Sequence, residues 1–144
     1  MNVNKILPIL LLLPFIASCT HTYKIEGTSS VNSLDGKKLY LKTVQDGELL
    51  KIDSAEVIHG LFSMKGKMDS VQMVTLYMDD ESIMPIVLER GKVTVTISNM
   101  EIKAEGTPLN TALYEFIRKK NELEVSIEEL EQKETRMVMD GADY

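Results

Sequence analysis

The sequence predicts a mainly β protein, an antiparallel β-sandwich or open barrel of about eight short strands followed by one long C-terminal α-helix. Two observations support this fold class. From Thr20 to Gly106, apolar and polar residues alternate with period two, and turn residues interrupt the alternation roughly every eight to twelve positions. After Gly106, the apolar residues recur with the spacing of a helix instead.

Short alternating runs mark the expected strands. They cover residues 23–27, 38–42, 49–53, 57–58, 61–66, 71–78, 83–88, 93–97 and 102–104. Asp46-Gly47 is a two-residue turn typical of a β-hairpin, so we expect the runs on either side of it to pair. His59-Gly60 predicts a second hairpin, formed by residues 57–58 and 61–66.

The predicted helix begins at Pro108, behind Thr107 as its N-cap residue, and Asp140-Gly141 ends it. Its apolar residues follow alternating steps of four and three, which is the heptad pattern of coiled coils. This heptad seam comprises Leu109, Leu113, Phe116, Leu123, Ile127, Leu130 and Met137, with Lys120 and Glu134 at its two polar positions. A helix of about 30 residues is about 45 Å long. Part of the seam should therefore extend past a small β-domain and contact a protein partner or a second copy of the chain.

The first eighteen residues are typical of a bacterial export signal. They contain one cation, Lys5, then an apolar run at residues 6–16 that is shorter than the roughly 20 residues needed to span a bilayer. The following Ile16-Ala17-Ser18-Cys19 resembles a lipobox, where a lipoprotein signal peptidase cuts before a cysteine that carries diacylglycerol. This resemblance implies a mature chain that begins at lipidated Cys19 and binds membrane lipid through its acyl chains. An ordinary signal peptide that happens to contain a cysteine is the alternative.

The expected location of the protein is the cell envelope. Thr20, rather than an acidic residue, follows the cysteine, and by resemblance to known sorting rules this favours the outer membrane, with the domain facing the periplasm. Cys19 is the only cysteine, so its lipidation leaves no thiol for disulfides or redox chemistry. The expected division is a signal peptide at 1–18, a β-domain at 19–106, a helical arm at 107–139 and a tail at 140–144.

Composition narrows the classes of function. The whole chain has a formal net charge of −6, and removal of the signal peptide with Lys5 makes it more negative by one. An acidic chain without basic clusters argues against binding to nucleic acid or to anionic lipid surfaces. Tryptophan is absent and aromatic residues make up 6% of the chain, which argues against a sugar-stacking platform.

No motif in the sequence marks a catalytic, cofactor or metal site. His59 has no second histidine, cysteine or aspartate at a ligand spacing, and structural zinc needs four ligands. Asp79-Asp80-Glu81 lacks the spaced acids and the glycine of a calcium loop, so an exposed turn is expected there. No Gly-x-Ser-x-Gly elbow and no phosphate-binding loop occur. We therefore expect no catalytic residue, no cofactor and no metal.

A combination of short motifs resembles a known family. These are Ile52-Asp53-Ser54-Ala55, then Gly60-Leu61-Phe62 with Gly66, then Pro85 to Gly91, and Gly106-Thr107-Pro108-Leu109-Asn110. Together they resemble an uncharacterised N-terminal β-domain of bacterial envelope lipoproteins, over roughly Tyr23 to Leu113. The resemblance marks Asp53, Ser54, Gly60, Gly106 and Asn110 as signature positions without assigning them a role.

In many members of that family, a helical linker and a thioredoxin-like domain with a Cys-x-x-Cys pair follow the β-domain. No residue of this sequence matches that second part, so no redox role is carried over. The resemblance implies a non-catalytic, membrane-tethered domain that positions a thioredoxin-like thiol–disulfide oxidoreductase or gives it specificity. A stand-alone binding module for an envelope peptide or glycan is the alternative, and an enzyme with an unrecognised site is the least supported hypothesis.

Overall fold

The structure is a computed structural model that describes residues 21–141, so the predicted signal peptide and Cys19 lie outside the described residues. It contains eight strands and one long helix. These are β1 (Thr22–Ser29), β2 (Lys38–Gln45), β3 (Glu48–Glu56), β4 (Leu61–Lys67), β5 (Gln72–Met78), β6 (Glu81–Leu88), β7 (Gly91–Ile97), β8 (Ile102–Glu105) and α1 (Pro108–Met139). The predicted fold class is confirmed.

The strands form two four-stranded sheets rather than a closed barrel. Their strand orders are β4-β1-β7-β8 and β3-β2-β5-β6. All of the strand pairs are antiparallel except β1 with β7, which run parallel with Ile25 opposite Val93. Both sheets contribute to one hydrophobic core, whose fully buried aliphatic side chains include Ile25, Leu39, Leu41, Val57, Leu76, Ile86, Val93 and Val95. The period-two alternation in the sequence is therefore the alternation between this core and the outer faces.

The two predicted hairpins have different outcomes. Asp46 and Gly47 both have positive φ, 53° and 84°, and they join β2 to β3 as an antiparallel hairpin, as predicted. The predicted hairpin of residues 57–58 and 61–66 is confirmed only at its turn, where Ile58 and Leu61 form a single antiparallel bridge; residues 57–58 are not part of a strand.

Burial and backbone hydrogen bonds explain that second outcome. Val57 is buried in the core, and its N–H donates to the carbonyl of Lys37 while its own carbonyl accepts from the N–H of Gly36. The chain thus leaves one sheet at Val57 and enters the other at Leu61, where β4 pairs with β1 instead of β3.

Helix α1 begins at Pro108, as predicted, and its first turns pack against β8 and β6. Asn110 is fully buried, while Leu113, Tyr114 and Ile117 are half-buried. Every residue from 118 to 141 is exposed, so the helix extends away from the sheets over most of its length. Within residues 21–141, no helix is long and apolar enough to cross a membrane.

Candidate functional site

The base of α1 is held by a buried polar cluster that joins it to β6. The side chain of Asn110 lies beside the backbone of Val87, near the end of β6. The Val87 N–H donates to Asn110 Oδ1 at 2.9 Å, and Asn110 Nδ2 donates to the Val87 carbonyl at 2.7 Å. The amide of Asn110 thus satisfies both backbone groups of Val87, as a residue of a neighbouring strand would.

Glu89 supplies the second half of this cluster. It is only 7% exposed, and its Oε1 accepts from the backbone N–H groups of Leu109 and Asn110 at 2.9 and 3.2 Å. These N–H groups lie in the first turn of α1, where they have no partner within the helix and where a negative charge is favoured by the helix dipole. Glu89, which is distant in sequence, therefore caps α1. We call the cluster of Val87, Glu89, Thr107 and Asn110 the helix lock.

Thr107 occupies the predicted N-cap position, but its side chain makes no capping hydrogen bond to the helix backbone. Its Oγ1 instead accepts from Asn110 Nδ2 at 2.9 Å. The expected helix start is thus correct. The expected capping group is wrong, because the carboxylate of Glu89, and not the hydroxyl of Thr107, accepts the hydrogen bonds from the free N–H groups of the first turn. Glu89 was not among the predicted site residues. The one feature of the sequence that could have indicated it is its position as a carboxylate within the motif Pro85 to Gly91, between a strand and a glycine turn.

Asp53 joins the two sheets. Tyr23, on β1, donates its hydroxyl to Asp53 Oδ2, on β3, at 2.9 Å, and the backbone N–H of Ser54 donates to Asp53 Oδ1 at 2.7 Å. Burial, reinforced by the hydrogen bond to Asp53 and its negative charge, raises the pKa of the Tyr23 hydroxyl well above its ordinary value of 10.0. Both oxygens of the Asp53 carboxylate are thereby engaged in fixing the fold.

Two of the signature glycines occupy positions with no room for a side chain. Gly60 has φ +73°, and a Cβ there would lie 2.5 Å from the carbonyl oxygen of Ser29. Gly106 has φ +96°, and a Cβ would lie 2.8 Å from the carbonyl oxygen of Lys92. Both contacts are closer than real Cβ atoms tolerate, and positive φ itself disfavours other residues. Gly60 permits the crossing between the sheets, and Gly106 directs the chain from β8 into α1.

The heptad seam is largely exposed. Phe116, Leu123 and Leu130 are each 65% exposed, and Ile127 is 55% exposed. Leu109 is 46% exposed and Leu113 is half-buried, because the base of the helix packs on the sheets. Asn110 and Tyr114, which hydrogen-bond to β6, lie beside the seam rather than on it. A large apolar stripe that no other described element covers is a typical feature of an interaction surface.

The outer face of the β2–β5 pair carries an aromatic pair that composition did not indicate. Tyr40 and Tyr77 lie directly opposite each other on neighbouring strands. The Nζ of Lys42 lies 5.7 Å from the centroid of the Tyr40 ring and 4.7 Å from that of Tyr77, and Lys38 and Lys51 lie within about 6 Å of the Tyr40 centroid. We call this surface the tyrosine–lysine face; Asp79 and Asp80 line the same open pocket as Tyr40, Lys42 and Lys51.

The remaining predicted positions do not assemble into a site. His59 lies exposed in its turn, and Asp79 and Asp80 lie exposed in the turn between β5 and β6. Among residues 21–141, no group of three or more histidine, cysteine, aspartate or glutamate side chains could hold a metal ion. An open groove of about 460 Å³ runs between β8 and α1, lined by residues that include Ile102, Tyr114 and Arg118.

The fold and the helix lock define a two-sheet β-domain that carries a docked C-terminal helix. A family model described as a domain of unknown function, DUF4369, matches residues 23–113, and the chain belongs to that family. The matched segment includes all five signature positions and ends just after the helix lock, and the suspected resemblance to an uncharacterised domain is confirmed. No curated protein matches the chain.

Proposed function

We propose that the protein is a lipid-anchored, non-catalytic component of the bacterial cell envelope. The lipobox-like sequence that ends at Cys19 supports lipid attachment, because the sulfur of a cysteine at the cleavage site is the group that receives diacylglycerol. More than one acyl chain is needed for stable anchoring, and a lipoprotein cysteine supplies it. The proposed location is the outer membrane, with the domain in the periplasm.

The β-domain acts as the base of a helical arm that positions a partner protein. The observation that carries this proposal is the contrast along α1, which is locked to β6 by buried hydrogen bonds at its base and is exposed beyond Ile117. At about 1.5 Å per residue, the 32 residues of α1 span about 48 Å. By family resemblance, the partner is a thioredoxin-like thiol–disulfide oxidoreductase.

A non-catalytic role is consistent with how the polar signature residues are used. Asp53 holds Tyr23 on the opposite sheet, and Asn110 holds Val87 on β6. Both side chains therefore join separate elements of the fold.

Lipid anchoring is tested by the variant Cys19→Ser, with Ser18→Ala as the control that keeps a small residue at the cleavage site. The wild-type protein and Ser18→Ala should fractionate with membranes and have the intact mass of a lipidated chain that begins at Cys19. Cys19→Ser should keep its signal peptide and lack lipid. Normal cleavage of Cys19→Ser would contradict the proposal and support an ordinary signal peptide.

Partner positioning is tested by a photo-crosslinking amino acid placed at Met139, at the distal end of α1. Val44, which is similarly exposed at the tip of the β2–β3 hairpin, is the control position. In intact cells, position 139 should crosslink to a protein that carries a thioredoxin-like Cys-x-x-Cys sequence, and position 44 should not. Equal labelling at both positions, or no such protein at 139, would refute this part of the proposal.

The tyrosine–lysine face supports a second candidate function, a binding module for acidic envelope glycans. A sugar ring can stack on Tyr40 or Tyr77 while the lysines pair with its carboxylates or sulfates. A bound glycan would raise the melting temperature by mass action. The increase in melting temperature should disappear in Tyr40→Ala and persist in Thr96→Ala, which lies on the other sheet. If no acidic glycan in a panel changes the melting temperature of the wild-type protein, this candidate function is excluded.

A further inference from the structure

The exposed part of the heptad seam runs from Phe116 to Met137. Its d positions are Phe116, Leu123, Leu130 and Met137, and its a positions are Lys120, Ile127 and Glu134. Helices gain most of their stability in water from packing an apolar face, and no other described element packs on this one. The stripe therefore has the composition and the exposure of a surface that is covered in the functional protein.

We propose that a second copy of this chain covers the heptad seam, with the two α1 helices parallel and in register as a two-stranded coiled coil. The proposal rests on the lipid anchoring proposed above, because two copies held in one membrane meet at a high effective concentration. A second copy of the chain is then the first protein that the helical arm binds. Any further partner would bind at the distal ends of the paired arms.

The identities of the seam residues favour two parallel strands. A β-branched residue at a with leucine at d is the combination that favours parallel dimers, and Ile127 lies between Leu123 and Leu130 in that arrangement. The contact covers about three heptads, which is close to the shortest length that sustains a coiled coil.

Charges on the two flanks of the seam decide the orientation. One flank, the g positions, carries Lys119 and Lys133, and the other, the e positions, carries Glu124 and Glu131. In a parallel pair, each g position faces the e position of the following heptad in the other helix. Lys119 then faces Glu124 of the second copy, and the same contact repeats by symmetry.

An antiparallel pair would bring like charges together. There, g positions face g positions and e positions face e positions, so that Lys119 would approach Lys133 of the second copy and Glu124 would approach Glu131. Like charges at such positions are destabilising. The segregation of lysine and glutamate to opposite flanks thus makes the helix complementary to a parallel copy of itself.

The two charged a positions are compatible with this register. Glu134 lies next to Lys133 of the second copy, because an a side chain packs beside the preceding g position of the other helix. In the same register Lys120 faces Lys120 and Glu134 faces Glu134 of the second copy, which gives two unfavourable layers. Each Lys120 Nζ is already paired with Glu124 Oε1 of its own helix at 2.5 Å. Polar residues at a positions lower stability but specify register and two-stranded association.

The β-domain leaves room for the second helix. Its hydrogen bonds with α1 are made at Leu109, Asn110 and Tyr114, and every residue from Arg118 onward is exposed. From Phe116 onward the seam is therefore accessible. In a parallel pair, the two β-domains lie at the same end, as two lipid anchors in one membrane require.

Disulfide crosslinking of the full-length protein in its own membranes tests the proposal. Phe116→Cys and Met137→Cys, made separately, place a thiol at each end of the exposed seam, and Val125→Cys places one on the opposite face of the helix at similar exposure. The wild-type protein measures any crosslinking through Cys19. We expect an oxidant to convert most of the Phe116→Cys and Met137→Cys proteins to covalent dimers and to leave Val125→Cys at the wild-type level.

The alternatives give different results. In an antiparallel pair, the two copies of Phe116 would be about 30 Å apart, so only a mixture of the Phe116→Cys and Met137→Cys proteins would crosslink. That result, or the absence of any crosslink in membrane-bound protein, would overturn the proposal while leaving the lipid anchor in place. Release of the protein from the membrane fraction would instead count against the proposed anchoring.

A second measurement uses purified lipidated protein in detergent. Leu123→Glu with Leu130→Glu places two charges on the seam, and Val125→Glu with Gln132→Glu places two charges at the same spacing on the opposite face. Light scattering should give a dimer mass for the wild type and the Val125/Gln132 variant, and a monomer mass for the Leu123/Leu130 variant. Equal masses for the two double variants would overturn the proposal.

Discussion

Replacement of Asn110 by alanine should detach α1 from the β-domain. The change removes the partners of the Val87 N–H and carbonyl, which bind the Asn110 amide at 2.9 and 2.7 Å in the buried helix lock. A buried backbone group left without a partner costs about 1–3 kcal/mol. Two such groups, partly relieved by water that enters the space, give an expected loss of about 3 kcal/mol in the free energy of unfolding.

Urea unfolding followed by circular dichroism measures this loss. A change of about 3 kcal/mol corresponds to a fall in melting temperature of about 10 °C for a domain of this size. Asn121→Ala, on the exposed part of the same helix, is the matched control and should stay within about 0.5 kcal/mol of the wild type. If Asn110→Ala and Asn121→Ala unfold alike, and the first-turn amides of α1 exchange at the same rate in both, the helix lock does not hold the arm.

Other expectations concern backbone geometry and ionisation. Gly60→Ala should destabilise the protein by about 1–3 kcal/mol more than Gly36→Ala. Both glycines have φ +73°, but only a Cβ at residue 60 would meet a backbone carbonyl. Equal losses in the free energy of unfolding would refute the close contact. Hydrogen bonds from two lysines lower the pKa of Glu26 from 4.5 to about 2, so its stabilising effect is present above pH 4.5 and disappears as the pH falls towards 2. Glu26→Gln should therefore flatten the dependence of stability on pH in that window, and an unchanged slope would argue against the pairing. Burial raises the pKa of Tyr114 to about 12 and raises that of Tyr23 further. Both side chains should therefore be the last tyrosines to ionise in an absorbance titration, and their stabilising effect should be lost as the pH rises above 10. Early ionisation of Tyr114 would contradict its burial.

Much of the fold follows from local sequence patterns. Period-two alternation located the strands, and Asp46-Gly47 identified the β2–β3 hairpin, because a two-residue turn with positive φ forces its flanking strands to pair. Pro108 located the start of α1, since proline fixes φ and lacks the N–H that the first turn cannot use. These features depend on neighbouring residues alone.

The candidate site was less predictable. The signature glycines and Asn110 were found through their family motifs, but their roles depend on atoms that are distant in the sequence. Gly60 meets Ser29, Asn110 meets Val87, and Asp53 meets a hydroxyl on the other sheet. Turn propensity could not show that the chain changes sheets at Val57, because the same His59-Gly60 turn would serve a hairpin equally well.

The sequence alone determined the strand and helix content, the heptad seam and the lipobox-like segment, because each is a pattern of neighbouring or regularly spaced residues. Only the tertiary structure decided that β1 and β7 run parallel and that Glu89 rather than Thr107 caps α1. It also decided which part of the heptad seam remains exposed. The physical reason is that burial and hydrogen-bond partners are set by which distant segments meet in the core, and period and propensity do not contain that information.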